Sequence, residues 1–358
     1  MKVTSQIIVD KLKRIGVNQG RNSEVWLARD EQLAGEVILK EIPLSNFNDP
    51  SEFFREAQII YANKHPRIVP INYACQDSNF IRMVMPYFPK GSLQDQLDIR
   101  PLPIGKVIKY AQEFLSGLQF VHINKFIHYD VKPTNIFITD DDSAMLADFG
   151  QARPTNNLGV ALTPPTYTKH SPPELIGTST STKLTDIYHC GLTLYRMCNG
   201  NKFFDEQFDK FLSPTGMINV NLLAFSILNG EFPDRSLYLP HVPKKLRKII
   251  NKALEINPKH RHQTALELMN DLGKVVSLLD WQYEEVKNGA RWFKYTIEHM
   301  YEIVLYLNYN DNMWYVQGKT IKIVDNTTRN RSIWSSPKGY KKKNDALKIL
   351  NKIFNEMD

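Results

Sequence analysis

Apolar positions alternate along the first eighty-odd residues. Val25 and Leu27, then Val37 and Leu39, lie two apart on either side of Ala34-Gly35, the pattern of two half-buried strands joined by a turn. Residues 51–63 are spaced for a helix instead, with Ser51 as N-cap and Glu52 in the first turn. After Gly91 the three- and four-residue spacing dominates, and segments 104–124, 185–200 and 244–256 read as amphipathic helices. An aperiodic stretch rich in Pro and Thr, 151–173, separates the first two; structureless segments of that length are usually functional. Near the end alternation returns. Ile303, Leu305 and Leu307, Trp314 with Val316, and Ile321 with Ile323 suggest two or three strands, and Asn344 would cap a helix through Ala346, Leu347, Leu350 and Phe354.

With 358 residues, 42% hydrophobic and 23% charged, the chain can bury about two domain cores and is no disordered tail, collagen or disulfide-stapled mini-domain. Cys75, Cys190 and Cys198 are odd in number and lack a CxxC spacing, which points to reduced thiols and away from structural zinc. The first residues lack the apolar stretch of a signal peptide, and no run approaches the roughly 20 apolar residues that span a bilayer. A soluble, cytoplasmic protein is expected. Net charge is +7, and residues 281–358 hold 13 Lys and Arg against 9 Asp and Glu, with four of the five tryptophans. That shift marks a boundary near residue 281. The reading adopted is a small folded module with a solvated basic face and a tryptophan mini-core; nucleic-acid binding through that face is the alternative.

The chemistry concentrates in His128-Tyr129-Asp130-Val131-Lys132-Pro133-Thr134-Asn135, followed by Asp148-Phe149-Gly150. Two carboxylates, a lysine and an amide in this order suit metal-assisted phosphoryl transfer. One carboxylate orients the attacking hydroxyl, the amide and the second carboxylate hold magnesium on a triphosphate, and the lysine stabilises charge on the moving group.

These two motifs resemble the catalytic loop and metal-binding motif of eukaryotic-type Ser/Thr protein kinases, and the likeness extends over roughly residues 9–280. Upstream, Val37-Ile38-Leu39-Lys40 is similar to the strand with the phosphate-binding lysine, and Glu56 stands where the family's helical ion-pair partner lies. Among Val37, Leu39, Ile59 and Ile60 an unpaired Lys40 charge would be costly, so a Lys40–Glu56 pair is expected. Downstream, Ser171-Pro172-Pro173-Glu174 resembles the close of the activation segment. Asp186 matches the buried aspartate that anchors the catalytic loop, and Arg261 the arginine that pairs with Glu174. The resemblance implies an α+β bilobal fold: a β-rich N-lobe over 1–85, a hinge and helical C-lobe over 86–280, and an added α+β module over 281–358. It implies ATP with Mg2+, or Mn2+ in its place, and protein substrates bearing Ser or Thr. Asp130 would be the catalytic base with Lys132 beside it, and Asn135 and Asp148 the metal ligands. Glu174, Arg261, Asp186 and His128 would be scaffold.

Several positions depart from the family pattern. The phosphate loop keeps only its central glycine, so Asn18, Gly20 and Ser23 would line the phosphates ahead of Val25. The hinge reads Met85-Pro86-Tyr87-Phe88, with Met85 as gatekeeper; Pro86 lacks only an N–H, so its carbonyl and both backbone groups of Phe88 remain for adenine. Ile38 and Phe137 would clamp the purine in a shallow pocket. Tyr129 replaces the arginine that a phosphorylated loop pairs with, so activity independent of loop phosphorylation is expected. Thr134 and Arg196 stand where arginine-directed members place acids, which argues against such substrates and for a neutral or acidic preference; Arg196 could instead pair internally with Asp205 or Glu206, and Thr134 removes one attraction in either case. A catalytically inactive scaffold is the second reading, motivated by the degraded glycine loop and bulky Ile38; a small-molecule kinase is the third.

Overall fold

The computed structural model describes residues 7–15, 23–47, 49, 54–164 and 168–358. Asn18 and Gly20 of the phosphate loop and Ser51 and Glu52 of the expected helix cap lie outside them.

Five antiparallel strands come first in space: β1 (Val9–Ile15), β2 (Glu24–Asp30), β3 (Gly35–Pro43), β4 (Tyr73–Gln76) and β5 (Phe80–Pro86), in the order β1-β2-β3-β5-β4. The turn into β3 falls where Ala34-Gly35 placed it, with Ala34 itself at φ +52°. Strand alternation then sorts the side chains. Val37 and Leu39 pack with Ala28 and Val84 on one face. Lys40 and Ile38 occupy the other, across from Val25 and Met83, and from Leu27 and Met85. Lys40 is therefore not buried among Val37 and Leu39, as the run of four apolar neighbours suggested: a period of two points it away from both. Glu41 joins their face instead and is buried between Lys11 and Arg82. The helix α1 spans Arg55–Ala62, with Phe54 as its N-cap and no side-chain cap bond; it starts later than the expected 51 and carries Glu56 in its first turn.

The second lobe is helical. It comprises α2 (Leu93–Ile99), α3 (Ile104–Ile123), β6 (Phe126–Ile127), β7 (Ile136–Ile138), β8 (Ala144–Leu146), β9 (Arg153–Pro154), β10 (Val160–Leu162), β11 (Thr180–Thr182), α4 (Leu184–Asn199), α5 (Asn201–Phe208), α6 (Val220–Leu228), α7 (Lys244–Ala253) and α8 (Ala265–Leu272). The expected helices at 104–124, 185–200 and 244–256 are α3, α4 and α7. Among the described residues, 151–173 carry only two- and three-residue pieces of regular structure: β9, β10, a helical turn at Thr168–His170 and the start of another at Pro173–Leu175. Helix α4 is buried almost all round, so it is the axle on which the lobe packs.

The C-terminal region holds β12 (Gln282–Val286), β13 (Gly289–Tyr295), β14 (His299–Asn308), β15 (Met313–Lys322) and β16 (Thr328–Arg331) in one antiparallel meander, with α9 (Lys343–Met357) across one face. Five strands replace the expected two or three, because β12, β13 and β16 mix charged and apolar residues too closely to show a period. Asn344 lies inside α9, whose N-cap is Lys342. The mini-core is real: Trp281, Trp292, Ile303, Leu305 and Val316 meet Ala346, Leu350 and Phe354. The hydrogen bonds that dock this unit on the helical lobe include one buried and one exposed. Trp292 Nε1 donates to His241 Nδ1 at 3.1 Å, and the backbone N–H of Lys244, first residue of α7, donates to the Asp358 carboxylate at 2.7 Å.

Candidate active site

Strand β3 presents Lys40 to α1 and to the segment after β8. Its Nζ lies 2.7 and 3.0 Å from the two Glu56 oxygens and 3.1 Å from Asp148 Oδ1. Burial pulls the Lys40 ammonium pKa down, but Asp148 and Glu56 outweigh it and the net shift is upward. The same ammonium holds the Asp148 carboxyl down at about 2. Asp148 adopts φ +62°, a region few non-glycine residues visit. Phe149 beside it packs inward, edge-on to His128 with ring centroids 4.8 Å apart.

The catalytic loop hangs from Asp186. This fully buried carboxylate accepts the backbone N–H groups of His128 and Tyr129, each at 2.8 Å, and lies 2.8 Å from His122 Nε2. Those bonds hold Tyr129 at φ +66°. The His128 ring is fully buried, donates from Nε2 to the Ala147 carbonyl, and has its pKa lowered by burial. It is a scaffold group. Asp130 follows with a free face and two local partners: Lys132 Nζ at 2.8 Å, and Asn135 Nδ2 at 2.9 Å from both its carboxylate and its carbonyl. The loop's single helical turn, Pro133–Asn135, has the proline at its first position, where no N–H is needed, and aims the Asn135 amide back at Asp130.

On the sheet face opposite Leu39, Val25, Ile38 and Lys40 line up with Met83 and Met85. Ser23 lies just before β2. Met85 and Pro86 close β5, and Phe88 two residues on stacks against Phe137 of β7 with centroids 5.8 Å apart. The Phe88 carbonyl already takes the Gly91 N–H at 2.9 Å, so one of its two lone pairs is spent. Further away, Arg261 meets Glu174 through two parallel bonds of 2.8 and 2.7 Å. The structure thus gathers Lys40, Glu56, Asp130, Lys132, Asn135 and Asp148 into one set, and leaves Glu174 and Arg261 apart as a structural pair.

Two contacts escaped the sequence reading. Tyr129 turns into the protein, 3% exposed, in a cluster with Ile127 and Ala161, and its phenolic oxygen meets both Ser181 and the Ala161 carbonyl. The apolar alternation Ile127, Tyr129, Val131 was the available signal. Arg196 pairs with neither Asp205 nor Glu206; it bonds Asn201, His170 and Gln94, and Asp205 pairs with Lys169.

A β-rich lobe that offers a paired lysine to an Asp–Asn–Asp set on a helical lobe is an arrangement that suits metal-assisted phosphoryl transfer. The comparisons agree. The protein kinase domain family matches residues 9–272. The chain is 27% identical over 262 residues to the serine/threonine-protein kinase PrkC of Bacillus subtilis, covering 72% of this chain and 39% of that protein. It is 30% identical over 269 residues to the serine/threonine-protein kinase PknB of Mycobacterium tuberculosis, covering 72% and 41%. A mouse relative, the serine/threonine-protein kinase Nek1, is 26% identical over 257 residues, covering 70% of this chain and 20% of the relative. The chain belongs to the protein kinase family, and it spans about two fifths or less of the length of these relatives.

Proposed function

We propose that this chain is a serine/threonine protein kinase that transfers the γ-phosphoryl group of ATP to Ser and Thr hydroxyls of proteins. The assembly of Lys40–Glu56 and Asp148 with Asp130–Lys132–Asn135 carries the reading. Asp130, fixed from two sides, orients the acceptor hydroxyl and takes its proton. Lys40, held extended by Glu56, meets the nucleotide phosphates, and Lys132 steadies charge on the acceptor side. The carboxylate of Asp148 and the amide oxygen of Asn135 are hard donors that would hold Mg2+, or Mn2+; when bound, the ion would supply positive charge against the charge that develops in phosphoryl transfer. Val25, Ile38, Met85, Pro86, Phe88 and Phe137 would hold the adenine, and Asn18, Gly20 and Ser23 the phosphates. The division into 1–85, 86–280 and 281–358 belongs to the same proposal, as does a cytoplasmic setting, which suits three cysteines that are all free thiols. No helix among the described residues is long and apolar enough to cross a membrane.

The proposal extends to control. Where the family uses an arginine to meet a loop phosphate, Tyr129 bonds the loop directly, so no phosphate is required to hold β10 and β11. Transfer of labelled phosphate from γ-labelled ATP to a generic Ser/Thr protein with Mg2+, lost in Asp130→Asn, tests the activity. Absence of transfer by the intact chain, with nucleotide still bound, would favour the scaffold reading, which the bulk of Ile38 opposite Met85 motivates.

A further inference from the structure

A cavity of about 820 Å³ opens between the helical lobe and the C-terminal unit, and none of the residues placed at the active site lines it. One wall is β12, through residues 282–285; the others come from the end of α2, the start of α3 and the start of α5. The volume is that of a site for a small organic ligand. Because β12 belongs to the module that lies outside the kinase domain match, the cavity is particular to this chain.

Two helices begin here without a cap. The N-cap of α3 is Pro103 and that of α5 is Gly200, and neither has a side-chain cap bond. Pro103 and Lys106 at one start, and Gly200, Lys202 and Phe203 at the other, line the cavity. Among the described residues, the Gly105 N–H finds an acceptor outside the helix, the Leu279 carbonyl at 2.8 Å, whereas those of Asn201, Lys202 and Phe203 find none. Both helices therefore turn their positive ends, and α5 its spare donors, toward the same space.

A second observation comes from Asn199, which also lines the cavity and is 3% exposed. Its Oδ1 takes the Leu239 N–H at 2.9 Å, and its Nδ2 is buried with no partner. A buried amide donor left without an acceptor is costly, and here it borders a cavity that can supply one.

The charges tilt the same way. Of the lining acids, Asp142 holds Lys106 at 3.1 Å, Glu285 holds Lys202 at 2.5 Å, and Glu284 holds Arg291 at 2.9 Å. Asp98 accepts from the Asn201 and Gln94 amides at 2.6 and 2.8 Å. Glu206 is the lining carboxylate with no bonded partner among the described residues. Against it stand Arg100, whose guanidinium has none among them, and Lys90, which reaches only the Asp140 carbonyl at 2.9 Å. Phe203 and Leu239 add apolar surface.

We propose that this cavity binds a small phosphate monoester, with the phosphate at the two helix starts, Asn199 and Arg100, and the organic body against Phe203 and Leu239. Helix starts and a guanidinium are donors that favour an oxyanion. A phosphate monoester has three free acceptor oxygens, enough for donors that arrive from separate segments; a carboxylate has only two.

The test is calorimetric titration of the full chain with glucose 6-phosphate, inorganic phosphate and a phosphoserine peptide. Each titration is repeated in Lys40→Ala, which removes the nucleotide-phosphate contact. Glucose 6-phosphate is expected to bind about fivefold or more tightly than inorganic phosphate, equally in Lys40→Ala. Arg100→Gln should weaken it about tenfold, as should Asn199→Asp, which keeps the acceptor for Leu239 and turns a charge on the phosphate. Arg100 is exposed, so Arg100→Gln should melt as the unaltered chain does in phosphate-free buffer, and it carries the test if Asn199→Asp fails to fold. Absence of binding, binding lost in Lys40→Ala, or binding that survives Arg100→Gln overturns the site. Inorganic phosphate bound as well as the sugar phosphate, or the peptide bound more tightly, overturns the assignment to a small ester.

Discussion

Ser181 donates its hydroxyl to the phenolic oxygen of Tyr129 across 2.9 Å, and Tyr129 donates in turn to the carbonyl of Ala161. Ala161 and Ser181 are register partners in the β10–β11 pair, so the residue next to Asp130 grips β10 within the activation segment and β11 just beyond its close at once. On the proposed reading, this hydroxyl pair takes the place of an ion pair to a loop phosphate. Phosphatase-treated enzyme should keep its initial rate; a more than tenfold loss that phosphorylation restores would contradict this. Tyr129→Phe leaves Ser181 without its acceptor and should lower stability by about 1 kcal/mol, read as a shift in the denaturant midpoint.

The chemistry should fail at the groups that gather charge. Lys40→Ala removes the ammonium between Glu56 and Asp148, and should lower transfer by orders of magnitude. Asp148→Asn and Asn135→Ala should do so through the metal, with the loss softened by raised Mg2+. Near-normal transfer by Asp148→Asn at ordinary magnesium would sink the site assignment.

Arg261→Met should destabilise by about 3–5 kcal/mol, since it removes the partner of Glu174 and the donor to the Leu184, Glu255 and Ile256 carbonyls. Equilibrium urea unfolding measures it, and a change below about 1 kcal/mol would contradict a structural role.

Residues 281–358 contribute none of the residues placed at the site, yet they cover His241. Trp292→Phe strips the His241 Nδ1 acceptor of its indole donor and should cost about 1–3 kcal/mol. A chain cut after Leu279 should still phosphorylate a generic peptide, at a lower melting temperature. If the cut chain folds but is inactive, the module is part of the catalytic unit.

Burial pushes the His241 pKa down from 6.5 to about 3. The folded state thus keeps this ring neutral where the unfolded chain takes up a proton. Its contribution is fully present above about pH 6.5 and is lost as pH falls toward 3, with a slope of up to about 1.4 kcal/mol per pH unit. His241→Phe should flatten that part of the profile, read as melting temperature against pH. An unchanged profile would show that His241 is not the group that titrates.

The loop at 130–135 and Asp148 were legible in the chain because phosphoryl transfer tolerates few residue types, and the Lys40–Glu56 pair because a buried lysine needs a partner of opposite charge. The wider order of motifs to Arg261, with Asp186 and His128 as scaffold, came from the resemblance to the protein kinase family. Periodicity located α3, α4 and α7, whose apolar faces are long. It failed where elements are short or flanked by charge: β12, β13 and β16 carry Glu, Lys and Arg between their apolar residues, and the cap at Asn344 was assigned from residue type when the chain direction entering the helix decides it.

What the sequence by itself determined is the inventory of chemistry: which carboxylates, amide and lysines exist, in what order, and that they suit metal-assisted transfer. Tertiary structure alone decided which face each group takes and whom it meets. Lys40 leaves Val37 and Leu39 because strand alternation, not nearness in sequence, sets its neighbours. Tyr129 reaches Ser181, 52 residues away, because Asp186 bends the catalytic loop into a left-handed turn. Arg196 ends among Gln94, His170 and Asn201, drawn from three other segments, and no local pattern encodes that their meeting leaves a buried charge without a counter-ion.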